Sequence, residues 1–92
     1  MAIIELYTSP LCGYCHAAKR LLDAKGATFL EVDLSKSPER RSEMQARSNG
    51  RHTVPQIFID DLHIGGCDEL YAMDRSGKLA AMLASGKLRL RR

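Results

Sequence analysis

The sequence predicts an α/β domain in which one βαβ unit and one β-hairpin share a mixed four-stranded sheet flanked by helices. Three observations predict it. Residues 2–8 and 28–32 are short runs of β-formers on either side of a stretch with helical period, the pattern of a right-handed crossover between parallel strands. Residues 55–59 and 62–64 are two further apolar runs parted by Asp60-Asp61, which reads as a hairpin. The 92 residues suffice for one domain, and 45% hydrophobic with 27% charged residues is globular composition.

The elements follow in order. Ala2-Ile-Ile-Glu-Leu-Tyr-Thr8 is a buried strand, and Ser9-Pro10 ends it because proline cannot donate to a ladder. From about Gly13 to Lys25 the period is helical, with Ala18, Leu21 and Leu22 on one stripe and Gly26 as C-cap. Thr28-Phe-Leu-Glu-Val32 is the second strand. Ser37-Pro38 opens a polar second helix, as N-cap and first-turn proline, with Met44 as its apolar anchor and an end near Asn49-Gly50. After the hairpin and Gly65-Gly66, a helix spans about 68–75. Ser76-Gly77 interrupts it, and a last helix spans about 78–84. The domain is thus expected over residues 1–86, with a basic C-terminal tail at 87–92 that is solvated and frayed.

Composition narrows the function. The net charge is only +3, and part of it sits in that tail, so neither nucleic acid nor a membrane is an expected partner. No stretch has the basic start and apolar run of a targeting signal or the length of a membrane span, so a reducing, cytoplasmic setting is expected. Structural disulfides are rare there, and a close cysteine pair points to catalysis or metal.

Cys12-Gly-Tyr-Cys15 is that pair. Its spacing puts both sulfurs on one side of a helix's first turn. Cys12 is expected at the exposed N-terminus, where unpaired N–H groups and the helix dipole favour the thiolate that attacks disulfides. Cys15 lies one turn further in and is expected to be more buried and to act second. The same motif is also half of a zinc site, but the remaining soft ligands are Cys67 and one of His16, His52 or His63, without a second paired motif. The passage from strand to helix within a βαβ unit favours redox chemistry. Gly13 leaves φ free where proline would fix it. Tyr14 is either a core aromatic or, beside the exposed sulfur, a substrate contact.

Tyr7-Thr-x-x-x-Cys12-Gly-Tyr-Cys15-His16, Thr53-Val-Pro-Gln-Ile-Phe-Ile59 and His63-Ile-Gly-Gly-Cys-Asp-Glu-Leu70 together resemble the bacterial dithiol glutaredoxins, from about residue 2 to 84. The resemblance implies a thioredoxin fold. It also implies a glutathione-dependent oxidoreductase that reduces protein disulfides and protein–glutathione mixed disulfides, with Cys12 and Cys15 catalytic. It implies a cis peptide bond at Pro55 and glutathione binding by Tyr14, Thr53, Val54 and Pro55. Gly66, Cys67 and Asp68 would hold the γ-glutamyl end, with Asp68 also the N-cap of its helix. Gln56, or else Arg51, would reach the glycyl carboxylate. Cys67 reads as a small packing residue rather than a redox group. Two departures stand out. Ser9 occupies a position where many members carry Lys or Arg, so Lys19, Arg51 or His52 would have to compensate. Gly13 replaces the commoner Pro, and some relatives with Gly or Ser there bind a [2Fe–2S] cluster between two subunits, each giving its first cysteine, here Cys12, with two glutathiones as the other ligands. The expected state is therefore a monomer, or a dimer when such a cluster is bound.

Overall fold

The structure, a computed structural model, describes residues 2–89, with side chains described for residues 2–84. Its elements are strand β1 (Ile4–Thr8), helix α1 (Gly13–Ala24), strand β2 (Leu30–Asp33), helix α2 (Arg41–Arg47), strands β3 (Gln56–Ile59) and β4 (Leu62–Gly65), and helices α3 (Cys67–Ser76) and α4 (Lys78–Arg89). The sheet has four strands in the order β2-β1-β3-β4. β1 runs parallel to β2 and antiparallel to β3, and β3 runs antiparallel to β4. The mixed sheet flanked by helices is the expected thioredoxin fold.

Strand alternation sorts the sheet into two faces. Ile4 and Leu6 of β1 lie opposite Ile59 and Ile57 of β3, and all four join a cluster with Ala18 and Leu22 of α1, Leu70 of α3 and Leu79 of α4. Glu5 and Tyr7 lie opposite Phe58 and Gln56 on the other face, where α2 contributes Met44. Helices α1, α3 and α4 therefore cover one face and α2 the other.

The hairpin turn is built from two aspartates with left-handed backbones, Asp60 at φ 51° and Asp61 at φ 68°, the pair of positive φ values that fits the strands' twist. Asp60 also ties the hairpin back to the start of the chain. Its N–H donates to the Ile3 carbonyl at 2.8 Å, and its carboxylate accepts from the Ile3 N–H at 2.9 Å.

The structure corrects two local expectations. Ser37 makes no side-chain cap. Pro38–Arg40 instead form a 3-10 turn that leads into α2, with Ser37 at its N-cap position and the Ser37 N–H bonded to the Asp33 carbonyl at 3.0 Å in the turn after β2. α4 runs through Ser85 and Gly86 to Arg89 rather than ending before them. Of the tail expected to fray, residues 87–89 are thus helical, and residues 90–92 lie outside the described residues. Among the described residues no helix is long and apolar enough to cross a membrane.

Candidate active site

Cys12 is itself the N-cap of α1, with extended backbone at φ −98° and ψ 109°. Its sulfur accepts the Cys15 N–H at 3.1 Å, one of the helix-end donors that has no partner within the helix. On its other side the thiol donates to the Val54 carbonyl at 3.6 Å. Both contacts sit at the N-terminal end of α1, where the sulfur meets a helix-end donor on one side and the cis-proline loop on the other.

Cys15 has no solvent exposure. Burial, followed by its contact with Cys12, pushes its thiol up to about 12. All three cysteines are free thiols. The pair therefore divides as the sequence suggested, with one sulfur at the mouth of the helix and one held neutral behind it. Cys67, 8% exposed, packs in the aliphatic cluster, and burial raises its thiol as well.

Beside Cys12 runs a groove of about 340 Å³ lined by Tyr14, Arg51, Thr53, Val54, Pro55, Gly66, Cys67, Asp68 and Glu69. Tyr14 stands on its rim at 68% exposure, which excludes the core reading of that ring. The Val54–Pro55 bond is cis, as the resemblance implied. Close approach explains the Gly65-Gly66 pair. A Cβ on Gly65, at φ +123°, would stand 2.7 Å from Glu69 Oε1, and one on Gly66 would stand 3.3 Å from the Pro55 carbonyl. The glycines let the cis-proline loop and the start of α3 meet as the two walls.

Two residue expectations are corrected here. Asp68 does not cap α3. The N-cap is Gly66, whose N–H donates to the Glu69 carboxylate at 2.6 Å, so Asp68 sits in the first turn on the groove wall. Gln56 does not face the groove. It shares strand parity with Phe58, points under the sheet toward α2, and is wholly buried. Of the two candidates for a terminal carboxylate, Arg51 is the one in the groove, 3.7 Å from Glu69. Arg51 is also the one groove residue among the three cations considered as compensation for Ser9. Lys19 lies in a separate hollow with Pro10 and His16, bonded to Glu31 at 2.9 Å. Sequence reading missed Glu69. Its signal was present, since Gly66-x-x-Glu69 matches the acidic half of a capping box.

A family model described as Glutaredoxin matches residues 4–64. Glutaredoxin 3 of Escherichia coli strain K12 is 54% identical over 83 residues, covering 90% of this chain and 99% of that protein. The solution structure of a Brucella melitensis glutaredoxin superposes with a TM-score of 0.77 at 54% identity, covering 90% of this chain and 89% of that one. The crystal structure of a buckwheat glutaredoxin–glutathione complex superposes with a TM-score of 0.84 at 32% identity, covering 91% of this chain and 78% of that one. With its first cysteine capping α1 and its second buried behind, this chain belongs to the glutaredoxin family of thiol–disulfide oxidoreductases.

Proposed function

We propose that this chain reduces protein–glutathione mixed disulfides and protein disulfides, with glutathione as the reductant. The observation that carries the reading is the groove beside Cys12, which pairs a backbone edge at Val54 with a helix start and a cation, Arg51. A tripeptide thiol with a carboxylate at each end suits such a lining. The start of α3 favours an anion, Arg51 can pair with another, and Val54 offers strand-like backbone contacts. The buckwheat relative bound to glutathione supports the same reading.

In deglutathionylation the Cys12 thiolate attacks the glutathione sulfur of the mixed disulfide. That S–S bond breaks, the protein leaves as a thiolate and takes a proton from water, and a Cys12–glutathione disulfide forms. A second glutathione thiolate attacks the bound glutathione sulfur, releasing oxidised glutathione and the Cys12 thiolate. With a protein disulfide, Cys12 forms the mixed disulfide and Cys15, once deprotonated, displaces the substrate to leave an intramolecular disulfide. A thiol pushed up to about 12 is a poor first attacker, which fits Cys15 to the second step.

A coupled glutathione reductase assay tests this. Cys12→Ser is expected to drop turnover to background, and Cys15→Ser is expected to keep deglutathionylation while losing most protein-disulfide reduction. Deglutathionylation that survives Cys12→Ser would overturn the assignment.

One observation favours a second reading, cluster binding. A Cβ at Gly13 would meet nothing within 4 Å, so the space next to the exposed sulfur is open. A [2Fe–2S] cluster held there would take Cys12 from each of two chains and two glutathione thiolates, which are soft donors that iron–sulfur clusters accept. Anaerobic reconstitution in the presence of glutathione that yields no visible absorption would remove this reading.

A further inference from the structure

Gln56 lies beneath the groove rather than in it, and both ends of its amide are engaged. Its Nε2 donates to the Thr53 carbonyl at 3.0 Å, and its Oε1 faces His63 Nε2 at 2.7 Å. A carbonyl only accepts, so the Gln56 atom at Thr53 must be the NH2 group. The other end is then the oxygen, and the His63 nitrogen facing it must carry a proton. His63 in turn packs its ring on Phe58, with centroids 5.1 Å apart. Burial, reinforced by the charge of Arg51, lowers the pKa of His63 and so favours the neutral ring. The relay runs from β4, through a buried amide, to the carbonyl that precedes the cis-proline pair.

The peptide link turns this into a statement about the groove. The cis bond among the described residues is Val54–Pro55, so Thr53–Val54 is trans and planar. In a trans peptide the C=O and the following N–H point in opposite directions. Drawing the Thr53 carbonyl inward onto Gln56 therefore turns the Val54 N–H outward, on the groove side. The carbonyl of Val54 already faces Cys12 at 3.6 Å. Val54 is thus set with one polar group at the nucleophile and the other toward the ligand.

We propose that Gln56, oriented by the Nε2–H of His63, is a positioning residue that holds the Val54 N–H toward the cysteinyl backbone of bound glutathione. The proposal rests on the reading of the groove as a glutathione site. Neither Gln56 nor His63 touches the reacting atoms, so both act through Val54.

The test combines variants with spectroscopy. Gln56→Met, similar in length, removes both hydrogen bonds. kcat/KM for a glutathione mixed disulfide should fall about three- to tenfold, mainly through KM, as for one misaligned hydrogen bond. Alkylation of Cys12 by iodoacetamide does not use the Val54 N–H and should keep its wild-type rate. His63→Leu should show the same KM-weighted loss to a smaller degree, and His63→Gln, which restores a donor, should recover part of it. Nitrogen-15 NMR of the wild-type protein should show His63 as the Nε2–H tautomer, a readout that needs no variant to fold. An Nδ1–H tautomer would overturn the role. So would wild-type kcat/KM in both Gln56→Met and His63→Leu, or a loss shared equally by alkylation. A wild-type protein inert toward glutathione mixed disulfides would sink the glutathione reading itself, and this role with it.

Discussion

The two faces of the sheet are closed by different physics. On one, α1, α3 and α4 bury a mainly aliphatic cluster in which Leu6, Leu22, Ile57, Ile59, Leu70 and Leu79 have no exposure. On the other, the buried set is Tyr7, Leu34, Met44 and Phe58, under a helix of only seven residues. That thin cover is completed by charge. The Arg47 guanidinium lies 4.1 Å from the Phe58 ring centroid, pairs with Glu5 at 2.8 Å and Asp61 at 3.0 Å, and donates to the Tyr7 hydroxyl at 2.9 Å. The Tyr7 hydroxyl donates to Glu43, which also pairs with Arg40 at 2.7 Å. The contrast reaches the active site. α1, which carries Cys12 and Cys15, is anchored on the aliphatic face by Ala18 and Leu22. The loop at Thr53 is braced from the polar face by Gln56. Apolar burial thus holds the cysteine pair, and directed hydrogen bonds hold the wall it faces.

If that contrast is right, the largest stability effects lie on the aliphatic face. Leu22→Ala is expected to cost about 2–5 kcal/mol in urea unfolding, the range for a cavity in a packed core. Because Leu22 anchors α1, the variant should also lose activity at temperatures where it begins to unfold. Arg47→Met keeps much of the stem over Phe58 and loses the charge. It is expected to cost about 1–2 kcal/mol, since the stacking and the ion pair both weaken but Arg47 and Glu5 remain 23% and 24% exposed. An Arg47→Met cost equal to that of Leu22→Ala would show that the two faces do not differ in kind.

The same contrast explains what the sequence reveals and what it hides. The aliphatic face is written in period: Ile4 and Leu6, Ala18 and Leu22, Ile57 and Ile59 announce their side by spacing alone, because burial there needs only apolar atoms on one face. The cysteines were legible for a related reason, since a C-x-x-C between strand and helix fixes its own local geometry. What stayed hidden depends on partners distant in sequence. The Arg47–Glu5 pair is separated by 42 residues, and nothing in a polar helix says which of its charges will turn inward. The resemblance offers Gln56, beside Arg51, for the glycyl carboxylate, but alternation with Phe58 puts Gln56 on the opposite side. Asp68 looked like a cap because acidic residues favour that position, but with Gly66 at the N-cap the bond falls to Glu69 three residues on.

The smallest effect is also the most specific to the polar face. The Arg40 guanidinium, then the Tyr7 hydroxyl, hold the Glu43 carboxyl down at about 2, below its ordinary value of 4.5. A carboxylate depressed on folding contributes stability that is fully present above about pH 4.5 and is lost as pH falls toward about 2. The Glu43 side chain is 39% exposed, so solvent screens most of this contribution and the effect is modest. Glu43→Gln resembles the protonated carboxyl, so the variant should be slightly less stable than wild type at neutral pH and converge with it near pH 2. Thermal unfolding of both across that window is the measurement. Other lowered carboxylates, Glu31, Asp33 and Glu69, titrate in both proteins and cancel in the difference. Parallel curves with no convergence would mean that the Tyr7–Glu43–Arg40 chain carries no charge-dependent stability. α2 would then be held by Met44 in the buried cluster, the Arg47 guanidinium over Phe58 and its pair with Glu5.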